Sequence, residues 1–289
     1  MLSDTEIARL SRALLPATLK AGAAIMAHFR SGVRVRHKPD NSPVTLADQQ
    51  AEDVILEALA DVAPGVPVVA EEAASRGEAP KDCADLTGDF VLVDPLDGTR
   101  GFIKGRDEFT VNIGFVSDGL PVLGLVYAPA FGLLFASRSR RAAVKFSVTD
   151  PTTATTVEGF DTAEPLRLRA FDGQSLIAVS SRYQSKKLDA ALAKIDASQI
   201  NANSSFKFCM VAQGDAHFYP RLGEISEWDT GAGAGLLRSA GGSITGLDGE
   251  QLTYGKVAAG YRNAPFIAWG CPEPVPRILD VMRSAGRDG

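Results

Sequence analysis

The stretch "FVLVDPLDGTRGF", residues 90–102, sets the reading of the chain. Phe90 to Val93 form an uninterrupted apolar run, the pattern of a short strand buried on both faces. Asp94 follows at the carboxyl end of that strand, the edge where open α/β sheets place their ligands. Pro95 lacks a backbone donor and restricts the residue before it, so the strand is expected to stop there. Asp94 and Asp97 repel each other at a sheet edge, and something positive is expected between them. Gly98 permits close backbone approach, and a helix starting behind it would aim free N–H groups at a phosphate. Gly98-Thr99 thus tips the segment toward a ligand site, with an ordinary Asp-Gly turn as the remaining alternative on this segment alone.

Outward from this stretch, 289 residues are enough for one large domain or two closely packed ones. An apolar fraction of 45% and a charged fraction of 22% are those of an ordinary globular protein rather than a disordered one. The net charge of −5, with no basic run, excludes the electrostatic footprint of a nucleic-acid binder. Cys83, Cys209 and Cys271 are odd in number and widely spaced, which suggests neither a disulfide framework nor a zinc site and fits a reducing cytoplasm. The amino terminus has no basic segment followed by an apolar one, and nowhere do eighteen apolar residues run together, so neither a secretory signal nor a membrane span is expected.

Ser3 and Glu6 form a capping box ahead of Ile7, Leu10, Leu14 and Ile25, which predicts a helix over 4–30 with a kink near Pro16. A second helix is expected from Thr45, with Asp48 in its first turn and Ala47, Ala51, Val54, Ile55, Ala58 and Leu59 on one stripe. Residues 67–70 read as a short strand ending at Glu71-Glu72. "FTVNIGFV" (109–116) alternates, "SDG" turns, and "PVLGLVYAP" returns, which predicts an antiparallel meander. In the second half a strand is expected over 175–181 and a helix over 185–195. A capped helix from about Ser204 should stop at Gly214 and lead to a strand ending near Arg221, and another helix should run from about Asp229 to Gly241-Gly242. A closing hairpin is expected at Asp248-Gly249. Residues 147–163, rich in Thr, Ser, Asp and Gly, mark the expected seam between an α+β subdomain (1–155) and an α/β subdomain (156–289).

If Glu71, Asp94, Asp97 and Asp229 converge, their chemistry is that of a hard divalent cation, since magnesium is held by a few carboxylates, water and substrate phosphate. Two such ions about 4 Å apart clamp the attacking and leaving oxygens of a phosphoryl transfer. Taken singly, Asp97 and Asp229 read better as helix caps or turn acids, whereas Asp94, between a buried strand and a proline, does not. Phosphatases with an aspartate nucleophile space their two acids two residues apart. Here the interval is three with a proline inside it, which favours water as the nucleophile.

"DPLDGT" (94–99), "AEE" (70–72), "KPDNSPVTLAD" (38–48) and "WDTGAG" (228–233) together resemble the lithium-sensitive, magnesium-dependent phosphatases that include inositol monophosphatase and 3'(2'),5'-bisphosphate nucleotidase. Within that family, "DGTRGFIKGRDEFTVNIGFV", "SSFKFCMVAQGDAHFYPRLG" and "VLGLVYAP" are most similar to the bacterial CysQ-type nucleotidases. The resemblance implies a layered αβαβα sandwich with the metal site between the subdomains. It implies removal of the 3'-phosphate of adenosine 3',5'-bisphosphate, recycling a by-product of sulfate assimilation, with inositol phosphate or fructose 1,6-bisphosphate as the nearest alternative substrates. A magnesium-dependent nucleotide binder without hydrolysis is the alternative from another class. It also implies that Glu71, Asp94, Asp97, Asp229 and the carbonyl of Leu96 hold two or three Mg2+ ions. Asp48 and Thr99, with Glu71, would serve catalysis, and Gly98, Thr99, Ser204, Lys207, Arg221 and Asp229 would contact the substrate. A cytoplasmic monomer or homodimer is implied, with peripheral contact at the inner membrane left open.

Two positions depart from the family pattern. Arg100-Gly101 stands where relatives often have Lys-Glu, and Arg182-Tyr183 where they have Ser-His; Tyr183 could stack on a base in place of that histidine. Lys38 and Asp40 are candidates to tie down a loop beside a third metal, or are a plain basic turn. His28 and His217 read as structural, His37 as solvated, and Trp228 as packing that anchors the helix bearing Asp229.

Overall fold

The computed structural model describes residues 2–31, 35–37, 43–81, 86, 88–171, 175–182 and 185–287. Cys83, Lys38, Asp40 and Tyr183 lie outside the described residues. The first half opens with α1 (Asp4–His28), β1 (Val35–His37), β2 (Pro43–Thr45), α2 (Leu46–Val62), β3 (Val68–Ala70) and α3 (Glu71–Ser75). It continues with β4 (Asp89–Asp97), α4 (Thr99–Ile103), β5 (Thr110–Ser117), β6 (Leu120–Ala128), β7 (Leu133–Ser139) and β8 (Ala142–Ser147). The second half holds β9 (Leu176–Ser180), α5 (Lys186–Lys194), β10 (Ala197–Asn201), α6 (Phe206–Ala212), β11 (Phe218–Arg221) and β12 (Ile225–Ser226). Then come α7 (Trp228–Ser239), β13 (Ser243–Gly246), β14 (Arg262–Asn263), β15 (Phe266–Trp269) and α8 (Pro276–Arg287).

These elements stack as an αβαβα sandwich, the fold class that the motifs implied. The capping box at Ser3 and Glu6 starts α1, and the Thr45–Asp48 box starts α2. Their apolar stripes, including Leu14, Ile25, Ala51 and Ile55, pack on one face of the six-stranded sheet β3-β4-β5-β6-β7-β8. The other face meets α6 and α7, which in turn cover the five-stranded sheet β10-β9-β11-β15-β13. Leu188 and Leu192 of α5, with Ile278 and Met282 of α8, close its outer face against Phe218 and Trp269. The large sheet is a meander of antiparallel neighbours from β4 to β8, with β3 parallel to β4 at one edge. Asp118 and Gly119, both at positive φ, make the two-residue turn between β5 and β6.

Because both faces of this sheet are covered, all eight residues of β5 are buried although its sequence alternates. The alternation separates two different cores rather than core from solvent. The middle helix α7 is rich in small residues for a steric reason: a Cβ at Gly124 would lie 1.8 Å from the carbonyl oxygen of Ala232. The glycines of the sheet and those of α7 let a helix backbone rest directly on a strand backbone, which outweighs the low helix propensity of glycine.

One expectation is corrected and another is met in a shorter form. β4 does not stop at Pro95 but runs on to Asp97, with the register shifting between Asp94↔Asn112 and Asp97↔Thr110. Three steps along β4 thus match two along β5, and this bulge accommodates the proline without breaking the ladder. The chain does turn back at Asp248-Gly249 as expected, but its return is short: one bridge, Thr245↔Gln251, flanked by the bonds from Gly246 N to the Glu250 carbonyl and from Leu252 N to the Ile244 carbonyl, on the free edge of β13.

Candidate active site

The bulge in β4 has a direct consequence for its acids. In a regular strand, residues three apart face opposite sides of the sheet. The inserted residue brings Asp94 and Asp97 to one face, opposite Asn112 and Thr110, which themselves share a face. That face looks toward α7, whose first turn carries Asp229, while Glu71 begins α3 at the end of β3. Oxygen atoms of Glu71, Asp94 and Asp229 lie within 4.8 Å of one another. Asp97 is coupled electrostatically to the same cluster and accepts a hydrogen bond from Ser204 Oγ at 2.8 Å.

The electrostatics are those of a site built for positive charge. Burial drives the Asp94 carboxyl far above the usual carboxylate range, and the charges of Glu71, Asp97 and Asp229 push it further. Burial, again reinforced by Asp97 and Glu71, pushes Asp229 up to about 8. Each carboxyl therefore holds a proton more tightly than a solvated aspartate does, as close like charges in a dry place must. A donor set of carboxylate oxygens alone suits a hard divalent cation, which would take the place of that proton. The residues present therefore fit such an ion. The carbonyl oxygen of Leu96 lies on the same corner and accepts from Thr99 Oγ1 at 3.0 Å.

Beside the cluster, Thr99 Oγ1 also reaches Asp48 Oδ1 at 3.2 Å. The other oxygen of Asp48 accepts from Thr45 N at 2.7 Å and Thr45 Oγ1 at 2.6 Å, so the capping box of α2 fixes the carboxylate in place. Burial raises the Asp48 carboxyl against these hydrogen bonds, with Glu71 adding to the rise. Gly98, at φ +97, leads into α4; a Cβ there would sit 3.0 Å from the carbonyl oxygen of Glu108. Only glycine turns β4 into α4 at that spacing.

On the second half, Ser204 at φ +59 touches Thr110 through its hydroxyl and precedes α6. Lys207, almost fully buried, folds back to donate to the Ser204 carbonyl at 2.6 Å and lies 5.1 Å above the Tyr219 ring. Arg221 donates to the carbonyls of Gly223 and Glu224, each at 3.1 Å. These three line a cavity of about 580 Å³ together with Asp97, Gly98, Arg100 and Asp229. On the other flank a cavity of about 830 Å³ is bounded by Glu71, Thr99, Trp228, Asp229, Tyr261 and Arg262. The acid cluster thus sits between two clefts. Glu108, which lines the smaller one, makes a two-pronged ion pair with Arg182 at 3.0 and 3.3 Å.

Several supports were not read from the sequence. Glu52 accepts from the amides of Glu72 at 2.8 Å and Ala73 at 3.0 Å, so its carboxylate holds the start of α3 and the orientation of Glu71. Its signal was an acid on the apolar stripe of α2, four residues after Asp48. The fully buried Glu227 accepts from the amides of Gly255 and Lys256 and from Lys256 Nζ, which pins the start of α7. Ser205 Oγ donates to the Asp229 carbonyl at 2.8 Å and ties α6 to α7. His217 is buried, accepting from Ile177 N through Nδ1, and His28 pairs with Gln50, both away from the cluster. Trp228 packs beside Tyr261 at 6.3 Å but also borders the larger cleft. Among the described residues no helix is long and apolar enough to cross a membrane.

Comparison with known proteins agrees with this geometry. The model of the inositol monophosphatase family matches residues 7–268. The 3'(2'),5'-bisphosphate nucleotidase CysQ of Buchnera aphidicola is 34% identical over 237 residues, covering 81% of this chain and 83% of the relative. CysQ of Escherichia coli K12 is 35% identical over 238 residues, covering 81% and 89%. Among solved structures, CysQ from Bacteroides thetaiotaomicron, a bacterial member of the inositol monophosphatase family, superposes with a TM-score of 0.75 at 31% identity, over 91% of this chain and 97% of that one. An inositol monophosphatase from Zymomonas mobilis shares the fold at a TM-score of 0.70 and 20% identity, over 99% and 100%. With the matching model spanning nearly the whole sequence and both sheets of the sandwich, the chain belongs to the inositol monophosphatase family.

Proposed function

We propose that this chain is a magnesium-dependent 3'(2'),5'-bisphosphate nucleotidase that hydrolyses adenosine 3',5'-bisphosphate to adenosine 5'-monophosphate and phosphate. The observation that carries this reading is the position of the acid cluster directly against a cleft lined by Lys207, Arg221 and Arg100. Acids for cations and bases for a second phosphate meet at one edge. The similarity to CysQ proteins supports the choice of substrate class.

In this reading Glu71, Asp94, Asp97, Asp229 and the Leu96 carbonyl hold two or three Mg2+ ions. Bound there, the ions supply charge stabilisation to the phosphoryl oxygens and the leaving 3'-oxygen. Thr99 Oγ1, held by Asp48 Oδ1, orients the attacking water on the flank of the larger cleft. The buried Asp48 is a better base than a solvated aspartate, so it takes the proton that the water gives up, relayed through the threonine hydroxyl. As the water oxygen bonds to phosphorus, the bond from phosphorus to the 3'-oxygen breaks on the opposite side, which places the nucleoside in the smaller cleft. Ser204, Lys207, Arg221 and Gly98 line that cleft, and the amides of Gly98 and Thr99 would face the phosphate. Residues 1–155 serve as the metal-binding part and 156–289 as the substrate-binding part, with Asp229 reaching across.

Turnover of adenosine 3',5'-bisphosphate and inositol 1-phosphate at equal magnesium concentration tests the proposal. Preference for the bisphosphate is expected. Faster release from the inositol ester would overturn the substrate, and binding without any release would make the chain a nucleotide binder.

A further inference from the structure

Asn112 lies in the middle of β5 and is fully buried, yet neither its Nδ2 nor its Oδ1 has a hydrogen-bond partner among the described residues. Each such atom is destabilising where it stands, and most buried side-chain amides are satisfied. Its surroundings show where a partner would come from. Across the strands, Asn112 is paired with Asp94 on β4 and with the apolar Val126 on β6. Directly opposed residues share a face with Cβ atoms about 4.5–5.5 Å apart, so the polar side chain beside the amide is the buried Asp94 carboxyl. The neighbours of Asn112 on the same face fix what lies above it. Thr110, two residues earlier, touches Ser204, and Gly114, two residues later, lies under Gly231 and Ala232 of α7. Asn112 therefore faces the junction where Ser205 binds the Asp229 carbonyl.

We propose that Asn112 is a positioning residue of the cation site: when the ion is bound, its amide holds the Asp94 carboxylate, directly or through one buried water. This rests on the reading of Glu71, Asp94 and Asp229 as cation ligands. Asp94 Oδ1 accepts from the amide of Leu96 at 3.0 Å. A carboxylate has further acceptor sites beyond the one this amide fills, and the Asn112 Nδ2–H is the donor paired across the strands from it. Groups that orient a ligand in this way typically change metal affinity by about 10–100-fold when removed.

The test is the near-isosteric Asn112→Leu, read by calorimetric titration with magnesium alone and by thermal unfolding in chelator. Magnesium affinity is expected to fall about tenfold or more, while the ion-free protein unfolds at an unchanged or higher temperature because two unsatisfied atoms are gone. A residue needed only for packing would give the reverse pattern. Affinity within threefold of wild type overturns the proposal, and a greater fall supports it. Should Asn112→Leu not fold, Asn112→Ser is read by the same threshold. Wild type is titrated alongside: if it takes up no magnesium, the cation reading itself has failed, whereas normal uptake by both proteins removes only the role of Asn112.

Discussion

The acids on the floor of the site and the bases on its wall are held in opposite ways. Asp94 and Asp229 are buried next to like charges, and both carboxyls are pushed toward the protonated form. Lys207 and Arg221 are already hydrogen-bonded to backbone carbonyls of Ser204, Gly223 and Glu224. The floor is electrostatically unfinished without a cation, while the wall is complete in itself. The floor should therefore govern whether chemistry occurs, and the wall which molecule undergoes it.

The largest effect that can break this comparison is Asp94→Asn. It removes a ligand charge from the floor and should lower phosphate release by about 1,000-fold or more, the scale on which groups stabilising transition-state charge act. Unchanged release would show that the acid cluster has no part in the reaction. Next, Thr99→Val keeps the volume and removes the hydroxyl that Asp48 holds. Its kcat should fall by about 100-fold with magnesium affinity unaltered, since the floor is intact. A parallel loss of magnesium binding would assign Thr99 to the cation instead of the water.

The wall is tested by Arg221→Ala, expected to raise KM for the bisphosphate by about tenfold while leaving hydrolysis of a simple phosphate monoester within about twofold. Equal losses on both esters would place Arg221 in the chemistry. The smallest effect concerns pH. An acid whose proton is held more tightly folded than unfolded stabilises the fold at low pH, and that contribution is lost as pH rises from the ordinary value of 3.8 through about 8. In chelator, the unfolding temperature should accordingly decline by a few degrees across this window, and the gain on adding magnesium should grow over the same range. A gain that shrinks with rising pH would mean that the ion binds elsewhere.

The floor was legible in the sequence because each acid sits in a short contiguous pattern whose local physics is strong: a buried run ending in Asp94, a strand end at Glu71, a helix start at Asp229. The five-layer stack followed from the motifs. What escaped was set by tertiary context. Pro95 reads as a strand end unless a bulge receives it, and the bulge exists because β4 is held between two neighbours. Glu52, Glu227 and Ser205 act through backbone groups far away in the chain, at α3, the 255–256 turn and Asp229; apart from the place of Glu52 on the apolar stripe of α2, no local spacing announces them. The wall was the least legible part, since Lys207 and Arg221 entered only through the family resemblance and nothing local announced that Lys207 is almost fully buried.

The central claim is that Glu71, Asp94 and Asp229 enclose divalent cations, and anomalous diffraction from crystals soaked in manganese, a stand-in for magnesium at oxygen sites, tests it most directly. A peak within about 2.5 Å of carboxylate oxygens from all three residues is the expected result. Strong peaks confined to other acids, with none among these three at saturating manganese, would contradict it.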